Sequence, residues 1–211
     1  WRDKKNGGNL YKYLRHGRKK YNKRSAKNAG RGCIPGRIDI DERPKIVDEK
    51  HRIGDWELDT IIGKDHHGAI VSMVDRASKF TKLMLVPNKT AEAVTSAITI
   101  SLGPLKPFVL TMTADNGKEF AAHDELKKAL GAQVYFAKPY HSWERGLNEH
   151  TNGLVRQYFP KGTRFDSLCL DDVQKVESLL NGRPRKVLDF QTPLEVFRLS
   201  FPDLSGGAFH C

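Results

Sequence analysis

An aspartate, Asp59, stands in the middle of residues 56–62, a segment that otherwise has the composition of an apolar β-strand. Aspartate is depleted in strands because its short polar side chain packs poorly on a pleated, half-buried surface. We therefore expect a partner or a function to compensate for Asp59. An edge strand that faces water would also tolerate this residue.

A second acidic residue, Asp115, follows the apolar run of residues 108–114. The sequence Asp115, Asn116, Gly117 has the composition of a turn, so this run predicts a strand that ends beside Asp115. The same three residues could form an ordinary hairpin turn, which is the simpler interpretation of Asp115 taken alone.

The third acidic residue, Glu149, lies in residues 142–159, whose pattern predicts a helix. At about 100° per residue, Leu147, Leu154 and Tyr158 fall on the side opposite Glu149, and Arg156 returns to the face of Glu149. The helix is therefore expected to bury an apolar stripe and to present polar groups on its other side. A solvated helix position is the alternative for a single glutamate.

The order of the predicted elements indicates an α/β fold. Strands are expected near residues 54–62, 68–75 and 79–86, followed by a helix at 90–102 and a strand at 108–114. A helix at 119–130, a strand at 134–137, helices at 142–159 and 171–181 and a short helix after Pro193 complete the chain. Three antiparallel strands followed by alternating helices and strands predict a mixed sheet that is flanked by helices.

The three acids lie in longer motifs, at residues 54–60, 113–120 and 145–163. These motifs closely resemble the catalytic core of DDE transposases and, more narrowly, the IS-thirty family of bacterial insertion-sequence transposases. The resemblance extends from about residue 10 to residue 201 and includes residues 31–44, 139–140, 181–186 and 192–193. Leu58 departs from the family pattern, which has a small residue before the first aspartate.

The resemblance implies a ribonuclease H-like fold in which Asp59 and Asp115 lie side by side and the helix of Glu149 completes the site. It also implies a metal site for two Mg²⁺ or Mn²⁺ ions, with Asp59 bridging them and Asp115 and Glu149 as the outer ligands. Hard oxygen ligands suit these ions, and a pair of ions suits in-line displacement at phosphorus. The implied activity is metal-dependent DNA cleavage and strand transfer.

Basic residues are the candidates for contact with DNA. Arg156 lies where DDE enzymes often place a basic residue, so the resemblance implies that it binds a phosphate near the scissile bond. An ion pair with an acid on the same helix is the alternative. Further candidates for backbone contacts are Lys161, Arg164, Arg183, Arg185 and Lys186.

The net positive charge is concentrated near the N-terminus. Residues 1–37 contain 13 Lys and Arg residues and one acid, Asp3, for a net charge of +12, and because the whole chain carries +11 the remainder carries −1. Such a basic arm favours nucleic-acid binding, and a merely solvated leader is the alternative. The arm candidates for DNA contact are Arg18, Lys19, Lys20, Lys23 and Arg24.

Three segments are predicted. A basic arm at residues 1–45 resembles the trailing end of a helix-turn-helix DNA-binding region, an integrase-type catalytic core follows at 46–203, and residues 204–211 form a C-terminal tail. The expected partner is double-stranded DNA, on which the protein would act as a homo-oligomer, with neither a membrane partner nor a small-molecule substrate.

Because no stretch approaches about 18 apolar residues and the cysteines are widely spaced, we expect a cytoplasmic protein. The family resemblance implies a bacterial protein that is associated with the nucleoid. Two other functions remain open. One is a ribonuclease H-like nuclease that hydrolyses without joining, and the other is an inactive DNA-binding remnant of a transposase.

Overall fold

A computed structural model describes residues 5–9, 34–138 and 146–200. The chain divides into two compact units, Trp1–Arg31 and Gly32–Cys211, and the architecture below is that of the second. The arm candidates Arg18, Lys19, Lys20, Lys23 and Arg24 lie outside the described residues, as do the predicted tail and the predicted helical residues 142–145.

Six strands form one mixed sheet: β1 (Ile38–Asp39), β2 (Asp55–Ile62), β3 (Ala69–Asp75), β4 (Thr81–Val86), β5 (Thr111–Ala114) and β6 (Gln133–Phe136). Their order across the sheet is β1-β6-β5-β2-β3-β4. Strands β2, β3 and β4 pair antiparallel, whereas β5 and β6 pair parallel, with β5 beside β2. The predicted antiparallel meander and the predicted neighbourhood of β2 and β5 are both present.

The α-helices are α1 (Ile46–Glu49), α2 (Ala91–Leu102), α3 (His123–Leu130), α4 (Gly146–Tyr158), α5 (Leu170–Asn181) and α6 (Pro193–Leu199). Capping defines two of their starts. The Thr90 side chain accepts a hydrogen bond from the amide of Ala93 at the start of α2, and Thr192 forms a capping box with Glu195 at the start of α6. Such caps satisfy amides that have no partner within the helix.

The sheet separates two hydrophobic clusters, because successive side chains of a strand point to opposite faces. Trp56 and Leu58 of β2 belong to the larger cluster, which includes residues of α2, α3 and α6. Ile61 of β2 belongs to the smaller cluster, which includes residues of α4 and α5. The face of β2 that carries Ile61 also carries Asp55, Glu57 and Asp59, so these acids lie on the side of α4.

The α/β fold with a mixed sheet and flanking helices is confirmed, and the differences are local. The strand expected at residues 108–114 begins only at Thr111, because Gly103–Phe108 forms a 3-10 helix that contains two prolines. The helix expected at 119–130 divides into a 3-10 turn, Lys118–Phe120, and α3. Ile38–Asp39, which the sequence analysis places in the arm, forms β1 and pairs with β6 at the edge of the sheet.

The opposite edge strand, β4, is covered by two side chains of α5. Asn181 accepts a hydrogen bond from the amide of Thr81 (2.8 Å) and donates one to its carbonyl (2.7 Å). Four residues earlier, Glu177 accepts a hydrogen bond from the amide of Leu83 (2.6 Å) and pairs with Lys82. These side chains occupy backbone groups that an exposed edge would offer to another strand.

We predict that Asn181→Ala lowers the free energy of unfolding by roughly 1–3 kcal/mol, because it leaves the buried amide and carbonyl of Thr81 without these partners. Chemical denaturation measures the change. Ser178→Ala, an exposed position on the same helix, is the matched control and is expected to have wild-type stability. Equal stability of the two variants would contradict a structural role for the Asn181 contacts.

Candidate active site

The register of β2 and β5 brings two of the predicted acids together. The parallel pairs Asp55 with Thr111 and Glu57 with Thr113 are both separated by 56 positions. Continuing that register by two residues sets Asp59 beside Asp115, just past the end of β5 at Ala114. Neighbouring strands lie about 4.8 Å apart, so this continued register would place the two residues side by side and on one face.

The carboxylate of Asp59 is half-buried and is oriented by hydrogen bonds. Its Oδ1 accepts from the amide of Thr60 (2.9 Å), and its Oδ2 accepts from Nδ2 of Asn152 on α4 (2.8 Å). The Asn152 amide is fixed in turn, because its Oδ1 accepts a hydrogen bond from the hydroxyl of Ser72 on β3 (3.1 Å). The aspartate that opposed the strand pattern therefore does have a partner, which lies on the helix of Glu149.

Asp115 occupies the first position of a tight turn. Its Oδ1 accepts a hydrogen bond from the amide of Gly117 (2.8 Å). A Cβ atom added to Gly117 would lie 2.3 Å from a carboxylate oxygen of Glu119, so no larger residue fits there without displacing that carboxylate. Glu119 is itself buried, and it pairs with Lys89 (2.8 Å) and accepts from the Thr60 hydroxyl (3.0 Å).

Helix α4 lies along β2 through three polar side chains spaced four residues apart. Asn148 donates to the carbonyl of Leu58 (3.1 Å), Asn152 to Asp59, and Arg156 to the carbonyl of Ile62 (2.6 Å). Positions four residues apart lie about 40° from one another around a helix, so these three side chains form one stripe. The stripe fixes the position of the helix along the strand.

Glu149 is exposed on α4, between Asn148 and Asn152 in sequence. It lies about 60° around the helix from Asn152, the residue that contacts Asp59, and so on the flank of the polar stripe. Across the residues that the structure describes, no group of three or more His, Cys, Asp or Glu side chains lies close enough together to hold a metal ion. The three-carboxylate site therefore stays a prediction, although its donors are the hard oxygens that Mg²⁺ and Mn²⁺ prefer.

The buried stripe of α4 differs from the predicted one. Thr151 and Val155 are buried with Leu154, whereas Tyr158 is 39% exposed. The periodicity correctly predicted the helix. The buried apolar stripe is shifted from the predicted one because polar side chains of α4 contact β2.

Arg156 makes intramolecular contacts instead of the ion pair considered from sequence. Besides Ile62, its guanidinium donates to the carbonyl of Phe159 (3.4 Å) and lies 5.3 Å from the centre of the Phe165 ring. Burial lowers the pKa of this guanidinium from its usual value. The residue connects α4, the end of β2 and the segment after α4, and its phosphate contact stays a prediction.

The other basic candidates are placed as follows. Arg164 forms two hydrogen bonds with the carboxylate of Asp166 (2.7 and 3.1 Å). Arg185 is half-buried and donates to the carbonyl of Leu180 (3.0 Å). The remaining candidates are exposed: Lys161, Arg183 and Lys186.

Sequence reasoning missed two buried acids on the same face of β2. Asp55 accepts from Arg52 (2.7 and 3.0 Å) and from the hydroxyl of Thr111 (2.7 Å), and Glu57 accepts from Arg76 (2.7 Å). Each acid is only 1% exposed. Their signal was the alternation of acids at positions 55, 57 and 59, since residues two apart in a strand share a face.

The comparisons with known proteins agree with this architecture. The integrase core domain family matches residues 49–142. The catalytic core domain of BIV integrase shares the fold, with a TM-score of 0.54 at 23% identity over 70% of this chain and 95% of that one. This structural similarity defines the fold class: an α/β domain of the ribonuclease H-like type.

Sequence relatives make the class narrower. The chain is 52% identical over 198 residues to the transposase of insertion sequence element IS4351 from Bacteroides fragilis, covering 94% of this chain and 61% of that protein. It is 38% identical over 187 residues to transposase InsI of element IS30C from Escherichia coli (strain K12), covering 87% of this chain and 47% of that protein. The chain spans about half of the length of these relatives. Residues 49–142 match the integrase core domain, and the chain resembles insertion-sequence transposases, as its motifs predicted.

One further property concerns membranes. No helix within residues 5–9, 34–138 and 146–200 combines the length and the apolar composition needed to cross a bilayer.

We predict that Arg156→Ala lowers the free energy of unfolding by about 1–3 kcal/mol, because the buried carbonyl contacts are lost together with the stacking on Phe165. Arg156→Lys keeps the charge but not the planar fork, so it should recover only part of this loss. Urea denaturation measures both. Gln157→Ala, at the exposed neighbouring position, is the control, and a wild-type midpoint for Arg156→Ala would show that these contacts do not stabilise the fold.

Proposed function

We propose that this chain is a DDE transposase catalytic domain that cuts DNA at the ends of a mobile element and joins the freed 3′-hydroxyl to target DNA. The observation that supports the proposal most strongly is the β2–β5 register, which, continued by two residues beyond its last pair, would bring Asp59 beside Asp115. Their neighbour across the site is α4, which carries Glu149 and contacts Asp59 through Asn152.

The chemistry of the donors supports a site for two Mg²⁺ or Mn²⁺ ions. Asp59 would contribute to both ions, and Asp115 and Glu149 would each bind one of them. When bound, such ions stabilise the attacking and the leaving oxygen of an in-line displacement at phosphorus. Because Glu149 is exposed, its side chain can change rotamer toward the two aspartates without breaking a packed core.

The residues around the acids have complementary roles in this proposal. Asn152 donates a hydrogen bond to one carboxylate oxygen of Asp59 and thereby fixes the orientation of that carboxylate. The amide of Gly117 does the same for Asp115. In both interactions a carboxylate oxygen is the acceptor, which is also the role that the proposed metal ligation requires.

Duplex DNA is the proposed partner, both as element end and as target. The basic residues 1–37 would contribute sequence-independent contacts to phosphates, because their charge is far from balanced by acids. Exposed Lys161, Arg183 and Lys186 are proposed as further phosphate contacts. We also propose that the protein acts as a homo-oligomer on DNA and resides in the cytoplasm in association with the nucleoid.

We predict that Asp59→Asn, Asp115→Asn and Glu149→Gln each abolish cleavage of DNA that carries element ends. Amides keep the shape of the side chains but not the charge that holds two cations. Thermal unfolding should remain close to that of the wild type. Cleavage is measured on labelled duplexes with Mg²⁺ or Mn²⁺, and normal cutting by one variant would remove that residue from the site.

Two controls accompany these variants. Glu125→Gln removes an exposed carboxylate from α3 and should cut normally. Asp55→Asn is unsuitable as a control because Asp55 is buried against Arg52. Joining of pre-cut ends to a target duplex distinguishes a transposase from a nuclease that only hydrolyses, and absence of both activities would favour an inactive remnant.

We predict that replacing Arg18, Lys19, Lys20, Lys23 and Arg24 together with Gln weakens binding to duplex DNA and flattens its salt dependence. Each lost phosphate contact lowers the slope of log K against log salt by about 0.9, so the slope should fall by up to about 4.5. Fluorescence anisotropy at several salt concentrations measures it. The control is the double variant Lys127→Gln with Lys128→Gln, at two exposed positions of α3. An unchanged slope in the arm variant would contradict the proposed contacts.

A further inference from the structure

The buried acid Glu57 connects β2 to the first turn of α4. Its Oε1 accepts a hydrogen bond from Nη1 of Arg76 (2.7 Å), and its Oε2 accepts one from the backbone amide of Asn148 (3.3 Å). The side chains of Glu57 and Arg76 are 2% and 4% exposed. Glu57 lies two residues before Asp59 on the same face of the strand.

The contact with Asn148 falls at a position where a helix needs a partner. The first four amides of a helix have no acceptor within it, and Asn148 is the third residue of α4. A carboxylate at that end also interacts favourably with the helix dipole. The Asn148 side chain donates to the carbonyl of Leu58 (3.1 Å), so two consecutive residues of β2 hold the first turn of the helix.

This attachment bears directly on Glu149, the next residue of the helix. A helix is rigid over one turn, so a displacement of Asn148 displaces Glu149 by a similar amount. Misplacement by about 1 Å at a reacting centre can cost about 100-fold in rate. Asn148, which contacts Glu57, immediately precedes the candidate metal ligand Glu149.

Stability alone does not explain a buried ion pair at this place. Removing two charges from water is costly, and well-packed hydrophobic residues of similar volume often serve a core equally well. Burial raises the pKa of the Glu57 carboxyl, and the charge of Arg76 opposes that effect. Arg76 also lies 3.6 Å from Asp48, which pairs with Arg43, whose guanidinium donates to the Thr113 hydroxyl (2.8 Å). The network thus joins β2, β5 and α1 beneath α4.

We propose that Glu57 and Arg76 are positioning residues for the candidate active site. The carboxylate of Glu57, held in place by Arg76, fixes the first turn of α4 and thereby sets Glu149 relative to Asp59 and Asp115. The catalytic part of this inference rests on the proposed function, whereas the attachment of the helix does not.

The test compares two double variants of the whole chain. Glu57→Met with Arg76→Met removes the ion pair and the acceptor for Asn148 but fills the same volume. Glu57→Gln with Arg76→Met also removes both charges, yet keeps an oxygen that can accept the amide of Asn148. Both avoid a buried unpaired charge, and thermal unfolding identifies any variant that fails to fold.

Hydrogen exchange of the metal-free protein is the first readout. The Met–Met variant should exchange the amides of the first turn of α4 roughly two- to tenfold faster than the Gln–Met variant, the range that corresponds to one hydrogen bond. Amides of α5 should be equal in the two. Equal protection of the first turn, or failure of both variants to fold, would overturn the attachment as an explanation of how α4 is held.

Single-turnover DNA cleavage is the second readout. The Met–Met variant should cut at least about tenfold more slowly than the Gln–Met variant and need more Mn²⁺ for half-maximal rate, because Glu149 is displaced. Unequal protection with equal rates would overturn the role in positioning Glu149. Absence of cutting by the wild-type chain would refute the proposed function instead, and the exchange experiment would still decide the attachment because it requires neither DNA nor metal.

Discussion

The parallel pairing of β2 with β5 is the constraint on which the candidate site depends. It brings the middle of β2, which carries Asp59, beside the end of β5, which Asp115 follows. The pairing lies at the centre of the sheet, where neither strand can slip without moving its entire hydrophobic set to the wrong face. Trp56, Leu58 and Met112 are fully buried in the larger core cluster and hold this register. The geometry of the two aspartates is therefore a property of the core.

Helix α4 contributes a different kind of order. Its apolar residues pack on the sheet, but apolar packing alone leaves a helix able to slide along a strand. Asn148, Asn152 and Arg156 add directional hydrogen bonds to Leu58, Asp59 and Ile62, and these fix the translation of the helix. The polar stripe of α4 therefore faces β2. These contacts preorganise the candidate site, and Glu149 is the exposed carboxylate at its edge.

The sequence was sufficient for the fold class and the order of the main elements, and the family resemblance was sufficient for the adjacency of β2 and β5. It was insufficient where a side chain's role depends on a distant partner. The hydrogen bond between Asp55 and Thr111 spans 56 residues of the chain, and that between Arg156 and Ile62 spans 94. The strand β1 was missed because two residues carry no periodicity. The side-chain conformation of Glu149 could not be predicted either, because the rotamer of an exposed residue has no signature in the sequence.

The close approach of Gly117 to the Glu119 carboxylate also restricts how this region can change over time. Any side chain at position 117 meets that carboxylate, and a smaller residue at position 119 would leave Lys89 and the Thr60 hydroxyl without their partner. A substitution at position 117 therefore disturbs the contacts of Glu119 with Lys89 and Thr60. Homologues that retain Glu119 with these contacts should therefore also retain Gly117.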